Sequence, residues 1–279
     1  MGRQTIRLII NADDYAYYPC VSRGILAAAS RGAVSATGIL ANAPGLDEQV
    51  DWLREHQKLE PGVHLNLTSR RPLTEAMADA LRSTDGHFPG VFAMAGRVLS
   101  GRIGLETIRE EWRAQIETLL KLGLKLEFLN SHEHIHMLPR LFTLASGLAE
   151  EYGIPHLRLT RADWSFSFGG AEGGRNLLIQ AMQTANRRWV RAATPVFIGL
   201  GRSGKLDLAY LRNLLRKLKP DRVYELMCHP GIYDAHEITD QRLLEYHAWE
   251  AELALLTSPG LTEVYEALGV RIMGYRDLP

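Results

Sequence analysis

The chain has 279 residues, 46% of them hydrophobic and 23% charged, which is enough to bury one large core and suits a single α/β barrel domain. Its 32 Lys and Arg balance 32 Asp and Glu, so it lacks the basic excess of nucleic-acid modules and no nucleic-acid partner is expected. No window approaches the ~18 consecutive apolar residues of a membrane span.

Two distant cysteines, Cys20 and Cys228, argue against a disulfide framework and a Cys-rich zinc site. Reduced thiols fit a cytoplasmic location. The first residues, MGRQTIRLIINADD, run into a strand pattern without the apolar stretch of a secretion signal.

Apolar runs suited to buried strands lie at 5–12, 34–41, 62–68, 125–130, 154–160, 194–200, 222–228 and 270–275. Amphipathic helical patterns separate most of them. The clearest covers 105–122, with Leu105, Ile108, Trp112, Ile116 and Leu119 at three- and four-residue spacing and Gly123 as its stop. A second opens at Asp207, a good N-cap, and runs LAYLRNLLRKLK before Pro220 ends it. Ser258-Pro259 reads as an N-cap with proline in the first turn. The stretches 69–104 and 164–175 read as loops over a site. Alternating strands and helices predict a parallel sheet, and eight strands fit a single (β/α) barrel-like domain over 1–279, a closed or distorted TIM barrel.

In such barrels the active site lies at the C-terminal strand ends. Four ends carry chemistry here: Asn11-Ala12-Asp13-Asp14, His64-Leu65-Asn66, the segment Ser131 to His136, and Cys228-His229-Pro230. Adjacent carboxylates raise each other's pKa, and a divalent cation relieves that repulsion, although an Asp-Asp pair also starts turns. One aspartate can then hold a cation while its neighbour serves as a base.

In SHEHIHMLP, His132, His134 and His136 share one face if the strand continues, whereas a helix would bring His132 and His136 together at i, i+4. Either suits a metal, and periodicity does not say which ring binds it. His64 taken singly reads as a satisfied core histidine more readily than as a ligand, and His229 taken singly is ambiguous. Tyr15, Tyr17, Tyr18, Trp164, Phe166 and Phe168 are candidates for aromatic walls, or for core packing.

The ordered set IINADD, GVHLNLT, SHEHIHMLP and ELMCHPG resembles the YdjC-like carbohydrate deacetylase family, which includes chitooligosaccharide deacetylases and hopanoid-biosynthesis-associated members. The resemblance runs from Ile9 to the terminal GYRDL. It implies one divalent ion (Zn or Mg foremost, then Mn or Co) held by Asp14, His64 and His132. It also implies Asp13 as general base and His229 as general acid. Tyr15, Asn66, His134, His136 and Trp164 are then expected around an acetylated amino-sugar substrate, and related enzymes suggest a homodimer. Two departures bear on specificity. The usual ADDFG reads ADDYA here, with Ala16 in place of the glycine, and the usual Asp-Ser-His reads Asn130-Ser131-His132. The rivals are a metal-dependent hydrolase of another amide or a phosphoester, and a catalytically silent sugar- or metal-binding homologue.

Overall fold

Each of the eight apolar runs overlaps a strand in the computed structural model, which describes residues 5–162, 171–190, 194–220 and 222–278. The strands are β1 (Ile6–Tyr15), β2 (Ala36–Ile39), β3 (Glu60–Leu65), β4 (Phe128–Ser131), β5 (His156–Leu157), β6 (Val196–Ile198), β7 (Val223–Cys228) and β8 (Val270–Ile272). Between them lie α1 (Pro19–Ser30), α2 (Leu46–Arg54), α3 (Glu75–Ala80), α4 (Val91–Leu99), α5 (Leu105–Lys121) and α6 (Pro139–Glu151). The C-terminal half adds α7 (Ala171–Asn186), α8 (Leu208–Leu215), α9 (Leu243–Tyr246), α10 (Trp249–Leu256) and α11 (Pro259–Leu268).

All pairings are parallel, in the order β5-β4-β3-β2-β1-β7-β6, and β8 joins β1 beside its first residues, where Ile6 faces Val270. Among the described residues β5 and β6 do not pair, so the sheet curls into an open, distorted (β/α) barrel. Those two edge strands are short, and the Arg158 guanidinium lies over the Phe197 ring between them, 5.1 Å from its centroid.

Strand β1 is apolar and almost wholly buried because a parallel strand is covered on both faces. Its alternation sorts the interior into layers. Leu8 and Ile10 pack in the large core outside the sheet, whereas Ile9 packs inside it with Phe128, Met273 and Tyr275. Asn11, next on the inner face, donates to Glu225 Oε1 (3.2 Å) and Tyr275 Oη (3.3 Å). Asp13 follows on that face, above a floor of apolar and polar layers.

Helix α5 buries Ile108, Trp112, Ile116 and Leu119, as its spacing predicts, and ends before Gly123 at φ 75°. It also buries Glu111 and Gln115. Gln115 accepts from Asn66 N and donates to Asn66 O, both at 2.8 Å, fixing the loop after β3. Asp207 caps Tyr210 N and Ser258 caps Leu261 N, as expected.

Three expectations are corrected. Helix α8 stops at Leu215 rather than reaching Pro220. The stretch 69–104 contains α3 and α4, because Thr74 caps the first and Met94 and Val98 give the second a buried face. The histidine segment is neither a strand nor an α-helix but a short 3₁₀ turn, with Glu133 (φ 51°) and His134 (φ 54°) left-handed. Among the described residues no helix is long and apolar enough to cross a membrane.

Candidate active site at the strand ends

Two successive side chains of a regular strand point to opposite faces. Asp13 and Asp14 escape that rule because the β1–β2 register shifts between Ala12 and Tyr15 and Asp14 turns left-handed (φ 71°). Ala16, standing where the family pattern has glycine, is also left-handed (φ 67°), and its N–H donates to Ser22 Oγ. The turn therefore survives loss of the glycine at a cost in strain.

Asp14 is buried and meets two imidazoles: His132 Nδ1 lies 2.7 Å and His64 Nε2 3.2 Å from Oδ1. Asn130 sets the state of the second ring. Its Nδ2 donates to Asp13 Oδ1 (2.9 Å), which as a carboxylate can only accept, so its Oδ1 faces His64 Nδ1 at 2.6 Å. His64 Nδ1 thus carries a proton, and in the neutral ring Nε2 presents a lone pair to Asp14. A lone pair facing a carboxylate calls for a cation between them. One carboxylate and two imidazoles, with ligand atoms mutually within 4.8 Å, suit a divalent ion.

The sheet makes room for this arrangement at Gly38 in β2. A Cβ there would lie 3.0 Å from His64 Nδ1 and 3.1 Å from Asn130 Oδ1.

Asp13 has a different setting. Arg158, fully buried, donates to it through Nη1 (2.5 Å to Oδ2) and Nη2 (2.8 Å to Oδ1), and through Nε to Glu225 Oε1 (2.6 Å). Burial pushes the Asp13 carboxyl up, but Arg158, aided by His64 and His229, outweighs it and holds the group at about 2. Asp14 is likewise held well below the usual range, burial being outweighed by His132 and His64. For His132 burial acts downward, yet the Asp14 carboxylate lifts it to about 9.

The other predicted residues divide. His229, after β7, is buried beside Asp14, with its backbone N–H donating to Glu252 Oε2 (2.6 Å). His134 turns to Thr160 Oγ1 (3.2 Å), and burial holds its ring well below the usual range. His136 is not brought to the cluster: Ser131 Oγ (2.5 Å) and the Arg158 carbonyl (3.0 Å) occupy its nitrogens. Tyr15 enters the core and donates to the Gln49 carbonyl (2.5 Å). Asn66 spends its amide on Asn42, Thr68 and Ser69, organising a turn. Trp164, with Phe166 and Phe168, lies outside the described residues. Tyr17 does line the cluster, its ring centroid 5.2 Å from that of His132, and Arg70 lies over both Tyr17 and Tyr18.

Residues not singled out from the sequence are Arg158, Glu225, Arg70 and His247. A charged side chain inside the apolar run HLRLT was a usable sign for Arg158. His247 carried none, since only folding brings it to β7.

An open (β/α) barrel with a carboxylate–imidazole cluster at its C-terminal strand ends defines a class of α/β proteins built for chemistry at that face. The particular family follows from comparison: a model of the YdjC-like protein family matches residues 7–267, and the chain belongs to that family. A carbohydrate deacetylase of Geobacillus stearothermophilus is 28% identical, with 96% of each chain covered. A human carbohydrate deacetylase is also 28% identical, over 100% of this chain and 93% of its own. A solved Enterococcus faecalis structure, described provisionally as that of a cellobiose-phosphate cleavage protein, superposes with a TM-score of 0.77 at 27% identity, covering 98% of each chain.

Proposed function

We propose that the chain is a metal-dependent hydrolase that removes N-acetyl groups from an acetylated amino sugar or oligosaccharide. The observation that carries this reading is the division of labour between adjacent aspartates, Asp14 facing two imidazoles and Asp13 clamped by Arg158 and Asn130. The carbohydrate deacetylases among its relatives supply the substrate class.

Asp14, His64 and His132 would hold the ion, which when bound supplies Lewis acidity toward the acetyl carbonyl and an acidified water. Asp13 accepts the proton that this water loses; held at about 2, it stays ionised throughout the working range. Arg158 and Asn130 fix the direction of its remaining lone pairs. His229 donates a proton from its ring to the departing nitrogen. Water and amide thus become acetate and a free amine.

The test is acetate release from N-acetylglucosamine, its β-1,4 oligomers and an N-acetylglucosaminyl lipid, with zinc, magnesium or a chelator. Chelator-sensitive acetate is expected, and Asp13→Asn should retain the ion while losing about 10²–10⁴-fold in turnover. Full activity in that variant would reject Asp13 as the base. The Enterococcus description favours one second reading, action on a phosphorylated sugar, so chromogenic phosphoesters and phosphorylated disaccharides belong in the panel. A homodimer, as related enzymes suggest, is part of the proposal, with light scattering as its measure.

A further inference from the structure

We propose that Asp14 serves two cation sites, the second being formed with His229 and His247 and taking a zinc-class divalent ion. The ligand atoms of Asp14, His229 and His247 lie within 4.8 Å of one another, as do those of Asp14, His64 and His132. Nδ1 of His229 and Nδ1 of His247 are both buried without a hydrogen-bond partner among the described residues, whereas the rings of His64, His132, His134 and His136 all have one. Buried polar atoms are rarely left unpaired, and both of these belong to rings that offer a ligand atom converging with Asp14.

Both imidazoles are pre-positioned. The His247 ring stacks on Trp249 (centroids 4.9 Å apart, planes at 10°) and stands 5.2 Å from that of His229. Its loop is pinned by Ala248 N to Gly204 O (2.7 Å) and Gly231 N to Trp249 O (3.2 Å). Glu252 binds the His229 and Leu206 backbone N–H groups, placing a second buried carboxylate behind the site. Two imidazoles and a carboxylate, leaving one position for water, form a three-ligand set of the kind zinc accepts. Two cations sharing one carboxylate repel each other, so the second site fills at higher metal concentration than the first.

One consequence rests on the acid role given to His229 above. An ion on that ring takes the lone pair that would carry the proton to the leaving amine, so excess zinc silences turnover.

The experiment is equilibrium dialysis of the full chain against buffered Zn²⁺, with bound metal counted. Wild type is expected to take up two equivalents, and His247→Ala and His64→Ala one each. His247→Phe, which keeps the stacking on Trp249, is the second variant should alanine unfold the loop. One equivalent in wild type at saturation, or two in both His247 variants, overturns the site. Parallel acetate assays should show wild-type activity rising and then falling with zinc, and the His247 variants losing the fall. Acetate absent at every zinc level would defeat the deacetylase reading, while the metal count would still decide the site.

Discussion

Replacing Arg158 with methionine strands two carboxylates in the barrel interior. Asp13 and Glu225 are 2% and 1% exposed, and both are bound by this guanidinium. In the wild type the Asp13 carboxyl is lowered from 3.8 to about 2. A depressed folded-state value means stability that is present above pH 3.8, about 2 kcal/mol, and lost as pH falls toward 2. Without Arg158, the largest of the lowering influences, burial is opposed only by His64 and His229, so the carboxyl rises and that stability shrinks. Breaking a buried pair from one side costs about 3–5 kcal/mol, a large part of a typical folding free energy. Arg158→Met should therefore lose about that much at pH 7, and the gap to wild type should narrow toward pH 4 as the Asp13 carboxyl takes up a proton. Adding Glu225→Gln should recover part of the loss. Urea unfolding followed by tryptophan fluorescence, in chelator at both pH values, measures it. A loss below about 1 kcal/mol, or one independent of pH, would refute the reasoning.

Ala16→Gly should relieve a left-handed alanine and stabilise the protein by about 0.5–1 kcal/mol, read as a higher Tm; an unchanged or lower Tm contradicts the strain. Gly38→Ala places a methyl against the His64–Asn130 hydrogen bond and should weaken zinc binding about 10-fold or more, measured by competition with a chelating dye. In the metal-free protein His132, lifted to about 9 by Asp14, contributes stability that is complete below pH 6.5 and lost as pH rises through 9. Zinc must displace that proton, so affinity should climb about tenfold per pH unit up to about 9, with calorimetry in buffers of different ionisation enthalpy showing the released proton.

Most of the scaffold was legible along the chain. Parallel strands buried on both faces read as apolar runs, and the stop at Gly123 and the caps at Asp207 and Ser258 are local matters of backbone bonding. The members of the Asp14 cluster were equally visible as polar residues at strand ends. The direction of each histidine was not. Left-handed Glu133 and His134 scatter three rings that period two would align, sending His132 to Asp14, His134 to Thr160 and His136 to Ser131. Tyr15 and Asn66 sat in the right motifs, but the core and a turn claimed them.

Taken by itself, then, the sequence determined the alternation of strands and helices, the strand ends that carry chemistry and the residue types gathered there, because hydrophobic period and capping are properties of neighbours. Only the tertiary structure decided which groups meet. Arg158 reaches Asp13 across 145 positions, His64 takes its tautomer from Asn130 across 66, and His247 comes to His229 by way of α10 docking on the loop after β7. Charges buried together choose their partners by distance through the barrel, a quantity that separation along the chain does not encode.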